Sequence, residues 1–145
     1  MRITNRRASR DYLISEKFEA GIVLSGAEVK SVRGGHLQLE ESFVRLKEGE
    51  AWLENAHIHP YGFADAREID PRRSRKLLLH RNELLKLEQK TAEGMSVIAL
   101  ACYNKGGNLK LEIALARGKK KYEKREAIKK RDIQREVEKV FRGKF

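Results

Sequence analysis

The sequence predicts a mainly β fold with embedded helices: an OB-like closed antiparallel barrel of about six strands, two or three short helices, and a basic C-terminal tail that is disordered when free. Three observations lead there. Short apolar runs alternate with period two and are separated by glycine-centred turns, as in antiparallel barrels. Two stretches follow a helical period and stop at glycine. The last fifth of the 145 residues has no strand pattern and is dense in Lys, Arg and Glu. The expected division is a barrel domain over 1–117 and a tail over 118–145.

Tyr12 and Ile14, then Phe18, Ala20, Ile22 and Leu24, alternate as a half-buried strand does, and Gly21 within that run predicts a bend or bulge. Ala27, Val29 and Val32 lie at helical spacing before Gly34-Gly35, which reads as a short helix with a glycine terminator. Phe43 to Leu46 and Ala51 to His59 read as a hairpin turning at Gly49, closed by Pro60 and Gly62. A polar loop over 62–76 precedes a brief strand at Leu77 to Leu79. The next helix runs from His80 or Arg81 to about Ala92. Its apolar positions are Leu84, Leu87 and Leu85, and Glu83 stands where the back-reaching member of a capping box belongs. Met95 to Tyr103 and Leu109 to Ala116 form a second hairpin around Asn104 to Asn108.

Charge is distributed unevenly. The chain carries a net +11, and from Gly118 to Phe145 there are 12 Lys and Arg against 5 Asp and Glu. A polyanionic partner follows from such an excess. No apolar run approaches the roughly 18 residues of a spanning helix, so a membrane partner is not expected and a cytoplasmic location is. In the tail, Ile133, Val137, Val140 and Phe141 form one thin helical stripe. Alone it offers too little apolar surface to offset an ordering cost of about 1–2 kcal/mol per residue, so the tail is expected to become helical only on a partner.

Candidates for chemistry are few. Cys102 sits in an apolar run and reads as an inert strand residue. His57 and His59 would share a strand face, but no third ligand follows at metal spacing. Lys105-Gly106-Gly107 lacks the frame of a phosphate loop. No catalysis, cofactor, metal or small-molecule substrate is expected. The basic clusters say more: Arg6, Arg7 and Arg10; Arg72, Arg73, Arg75 and Lys76; and Lys119 to Lys121. Arginine engages phosphate bidentately, and each neutralised phosphate releases counterions, so three such clusters favour salt-sensitive RNA binding. With aromatic residues at 7%, recognition of a folded RNA by shape and phosphate is favoured over a stacking platform.

Several segments, in order and at their spacing, resemble the SsrA-binding protein family. They are Asn5 to Ala8, Tyr12, Phe18 to Gly21, Leu24 with Gly26, Glu28 to Ser31, Arg33 and Gly35, then Asp70-Pro71 with Arg73 and Arg75 to Leu79, Glu83-Leu84, Ala116 to Lys120, and Lys124-Arg125. The likeness runs from about residue 5 to 142. It implies an OB-like barrel that binds the tRNA-like domain of transfer-messenger RNA near its D-loop and carries it into stalled ribosomes. It further implies a tail that enters the small-subunit decoding centre and mRNA channel as a helix, so that the nascent peptide is tagged for proteolysis.

By position, the resemblance implies RNA contacts at Glu19, Leu78, His80 and Lys110, beside the basic residues Arg6, Arg7, Arg75 and Lys76. It implies tail contacts with the ribosome at Gly118, Lys119, Lys120, Lys124, Arg125 and Val140. His80 stands where one common form of the family has Asn, and an imidazole lacks the bidentate edge of an amide. The region of Ser9 and Arg10 also departs from the common pattern. Two other readings stay open on the residues alone: a generic OB-type tRNA- or rRNA-binding protein, and an RNA-processing enzyme using His57 and His59.

Overall fold

A computed structural model describes residues 1–60 and 70–119. Seven strands form one antiparallel sheet in the order β1-β8-β9-β2-β7-β5-β4, and two further strands, β3 and β6, pair separately. In chain order the strands are β1 (Arg2–Thr4), β2 (Tyr12–Ile22), β3 (Leu37–Gln38), β4 (Phe43–Lys47), β5 (Glu50–Glu54), β6 (His57–Ile58), β7 (Arg75–Leu78), β8 (Ser96–Lys105) and β9 (Asn108–Gly118). The described residues hold three helices: α1 (Ala8–Asp11), α2 (Gly26–Arg33) and α3 (Arg81–Ala92).

The expected closed barrel is corrected to an open sheet. The sheet curls until β4 comes within 8 Å of β8, Cα to Cα, but no ladder joins them. Over Ser96 to Leu100 no strand pairs with that edge of β8, because β1 reaches only Ala101 to Tyr103.

Long β2 and β9 pair from Tyr12↔Gly118 to Gly21↔Lys110, with Ser15 left without a partner between Ile14 and Glu16. The irregularity expected at Gly21 thus lies at Ser15. A second shift leaves Leu100 unpaired between Ala99 and Ala101 in β8. Because side chains alternate with period two, one extra residue reverses which face the following ones take. Val97 and Ala99 enter the main core, and beyond Leu100 it is Cys102 that does so. Ile98 and Leu100 instead join Ala8, Ala114 and Ala116 in a smaller cluster beneath α1, a helix not foreseen from sequence.

The expected strand over 51–59 is also divided. Asn55 takes φ +60°, which breaks the run, and His57 and Ile58 pair with Leu37 and Gln38 rather than continuing β5. The β4–β5 turn uses Glu48 at φ +53° and Gly49 at φ +75°, the left-handed pair of a two-residue hairpin. Helix α3 begins after His80, whose backbone N–H donates to Glu83 Oε1 at 3.0 Å, while the Glu83 amide donates to Asn82 Oδ1. Leu87 is fully buried, Leu84 packs on the core, and Leu85 faces out at 55% exposure.

Helix α2 is fixed by its first turn. Ser25 and Glu28 form a reciprocal capping box, and the same Glu28 carboxylate accepts from Arg73 and from Arg75 Nε at 2.8 Å. Arg75 is fully buried, donating also to the carbonyls of Ala56 at 2.6 Å and Pro71 at 2.9 Å. The start of the chain is held similarly: buried Asn5 donates to the carbonyls of Leu39 and Ala99.

Candidate nucleic-acid interface

The outer face of the sheet carries a row of directly opposed residues. Arg2 faces Tyr103, Tyr103 faces Lys110, Lys110 faces Gly21, and Gly21 faces Leu78, so five strands contribute one residue each. Gly21 leaves a gap in that row. Glu19, Gly21, Leu78, Leu79, His80, Glu83 and Lys110 line a concavity of about 330 Å³ there. All four residues expected to meet RNA on the sheet, Glu19, Leu78, His80 and Lys110, are thus brought together. Leu78 is 54% exposed, although its neighbours in the strand, Leu77 and the Arg75 guanidinium, are in the interior. An adjoining groove shares Gly21, Leu78 and Lys110 and runs on over Ile22, Leu24, Val29 and Leu109 to Arg33.

Glu19 is a held carboxylate. It accepts from the Tyr103 hydroxyl and from Lys105 Nζ at 3.3 Å to each oxygen. The Tyr103 hydrogen bond, joined by Lys105 and Lys110, outweighs the opposing effect of burial and keeps its pKa below the ordinary value. Glu19 is therefore ionised at neutral pH.

The remaining basic residues divide. Arg6 and Arg7 are exposed between β1 and α1, and Arg7 shares a second concavity with Arg72, His57, Glu40 and Glu41. Lys119 Nζ donates to the Ser9 carbonyl beside Arg10, so the first and last basic clusters adjoin. Lys76 faces outward near Glu50 at 3.2 Å. Arg75 is the exception: its guanidinium is committed inside the fold to Glu28 and two carbonyls, so the expected RNA contact is corrected to a structural one. Arg73 shares that carboxylate. Of the tail residues, Gly118 ends β9 and Lys119 follows it, whereas Lys120, Lys124, Arg125 and Val140 lie outside the described residues, as does the expected tail helix.

Tyr103 was missed by sequence reasoning, because the bulge at Leu100 turns it outward. Simple alternation from Val97 and Ala99 would have turned it inward. His57 is held neutral, its pKa lowered by burial and then by Arg72 and His59. Its ring lies 6.5 Å from that of His59. Among the described residues, no three His, Cys, Asp or Glu side chains are grouped to hold a metal ion. No described helix is long and apolar enough to cross a membrane.

A small, strongly basic β-sheet module with a charged, shallow face built from several strands is the class these features define. The chain belongs to the SmpB protein family, whose model matches residues 2–143. It is 56% identical to the SsrA-binding protein of Sulfurihydrogenibium sp. (strain YO3AOP1) over 98% of this chain and 94% of that one. It is 54% identical to the SsrA-binding protein of Persephonella marina, with the same coverage. A solved structure described as "tmRNA-SmpB: a journey to the center of the bacterial ribosome" is similar at a TM-score of 0.70 and 46% identity, covering 88% of this chain and 94% of the other.

Proposed function

We propose that this protein binds the tRNA-like domain of transfer-messenger (SsrA) RNA and delivers it to stalled bacterial ribosomes for trans-translation, so that the ribosome is released and the nascent peptide tagged for proteolysis. The observation that carries the reading is the gathering of Glu19, Leu78, His80 and Lys110 around the gap at Gly21. A carboxylate suits base amino or imino groups, an exposed leucine an unstacked base, and a lysine a phosphate or base. His80 supplies one hydrogen bond or a stacking surface. Arg6, Arg7 and Lys76 add electrostatic attraction elsewhere on the surface.

The curled, open sheet is the OB-like body over 1–117. The tail from Gly118 supplies the ribosomal contacts through Lys119, Lys120, Lys124, Arg125 and Val140, folding as a helix in the decoding centre and mRNA channel. The protein acts in the cytoplasm by binding alone, without covalent chemistry. A salt-titrated gel shift tests the reading, with the tRNA-like fragment beside an elongator tRNA. Wild type should prefer the fragment, and Lys110→Ala should lose that preference; equal affinity of both proteins for both RNAs would leave only a generic tRNA- or rRNA-binding module. A chain ending at Gly118 should keep the preference and fail to support tagging.

A further inference from the structure

We infer that Tyr103 is a positioning residue for RNA selection: its hydroxyl aims the Glu19 carboxylate, so that the concavity reads base donors rather than charge alone. This rests on the proposed role of Glu19 as an RNA contact. Tyr103 lies on β8, two strands from Glu19 on β2, and reaches across β9 to donate its O–H to Glu19 Oε2. Lys105 Nζ is shared between the two carboxylate oxygens. An ionised carboxylate has about four acceptor positions, so capacity remains after these donors are satisfied.

Tyr103 is itself located from two sides. The Arg2 guanidinium lies 5.3 Å from the centre of its ring, and Arg2 also approaches Glu112 at 3.8 Å. Strand β1 therefore has a use beyond extending the sheet: it places a cation over the ring whose hydroxyl holds Glu19. The phenol's pKa is pushed up to about 12, chiefly by that hydrogen bond, so it remains a donor over the whole physiological range.

A wandering Glu19 would have to be ordered on binding at an entropic cost, and a protonated one would present an O–H in place of one acceptor site. Removing the Tyr103 hydroxyl frees the carboxylate to wander at neutral pH and lets it protonate at a higher pH than in wild type on the acid side. The bond forms in the free protein, so its effect is to prepare the site before RNA arrives.

The test uses the full-length chain with the tRNA-like fragment of transfer-messenger RNA, with elongator tRNA as control. Tyr103→Phe keeps the ring beneath Arg2 and removes only the hydroxyl. Loss of a hydrogen bond to a charged group is expected to lower fragment affinity about tenfold at neutral pH. Affinity for elongator tRNA and the salt slope should stay as in wild type. As pH is lowered to about 4.5, fragment binding by the variant should fail at a higher pH than in wild type, because Glu19 without the bond titrates closer to its ordinary value. In a Glu19→Gln background, Tyr103→Phe should have no further effect.

A merely structural role would lower thermal stability without moving the acid limb. Unchanged affinity and acid limb in Tyr103→Phe, or full additivity with Glu19→Gln, would overturn the inference. The site reading is judged separately: if Glu19→Gln alone keeps the wild-type preference, Glu19 does not read RNA and both fall, whereas loss there with an inert Tyr103→Phe removes only Tyr103's part.

Discussion

Gly21 and Leu78 face each other across the β2–β7 ladder, and a Cβ on Gly21 would stand 3.2 Å from the Leu78 Cβ. The concavity exists because the fourth position of the five-residue row, between Lys110 and Leu78, has no side chain. Its backbone is not in the left-handed region, so the glycine is there for space and not for conformation. Gly21→Val should therefore fill the gap and push Leu78 aside. The expected result is at least a tenfold loss of affinity for the tRNA-like fragment, corresponding to about 1.4 kcal/mol, with the circular dichroism of the folded sheet retained. Wild-type binding by a folded Gly21→Val protein would show that RNA does not enter there.

Leu77 and Leu78 are adjacent and make opposite predictions. Leu77 is 3% exposed, so Leu77→Ala should cost about 2–5 kcal/mol of stability by thermal or urea unfolding. Leu78, at 54% exposure, should change stability by about 0.5 kcal/mol or less when cut to alanine, yet lose RNA preference. Equal effects of both on stability would contradict the placement of Leu78 on the outer face.

Removing the Arg75 guanidinium leaves Glu28 buried beside fewer donors and frees two carbonyls. Arg75→Met should destabilise by about 3–5 kcal/mol, as loss of one partner of a buried pair does, and its RNA affinity, measured on the folded fraction, should remain near that of wild type. Arg75→Lys should rescue little, because one ammonium cannot reproduce the three directions of the fork.

Acid should act through the same carboxylate. Burial raises the Glu28 pKa, but hydrogen bonds from Arg73, the Ser25 backbone and Arg75 more than offset it, so the folded group titrates below the ordinary value. Its contribution is then fully present above the unfolded carboxylate pKa, and it is lost as pH falls through the folded one. Urea midpoints should decline through that acid window, and Glu28→Gln should flatten the decline while lowering stability at neutral pH.

Cys102 is 1% exposed and burial pushes its thiol pKa up to about 11. Alkylation at neutral pH should be slow in the native protein and become rapid only in denaturant. Rapid labelling of folded protein would place the thiol at the surface.

How far the sequence reaches depends on which interactions write a local pattern. The hairpins at Gly49 and at Gly106-Gly107, and helices α2 and α3, are encoded by periodicity and turn chemistry within a few residues, and they fall where expected. Ser15 and Leu100 carry no such mark, since a bulge is decided by the partner strand. That is why Tyr103 escaped notice. Arg75 misled for a related reason: an arginine among basic neighbours looks solvated until its carboxylate, Glu28, is found 47 positions away. Closure failed because nothing local says whether the β4 and β8 edges will meet. The candidate site itself was legible through family resemblance, whereas composition supplied only its charge.

The five-residue row has a consequence for how recognition and folding are linked. Its members come from Arg2 at one extreme and Lys110 at the other, with Gly21, Leu78 and Tyr103 between them in sequence but not in that order across the sheet. No fragment cut between Arg2 and Lys110, and no half-assembled sheet, owns the complete surface. An RNA that needs the whole row binds the native state and not its precursors, and by mass action it should stabilise every strand at once. Binding through that row would make the nucleic acid a proofreader of the protein's own conformation.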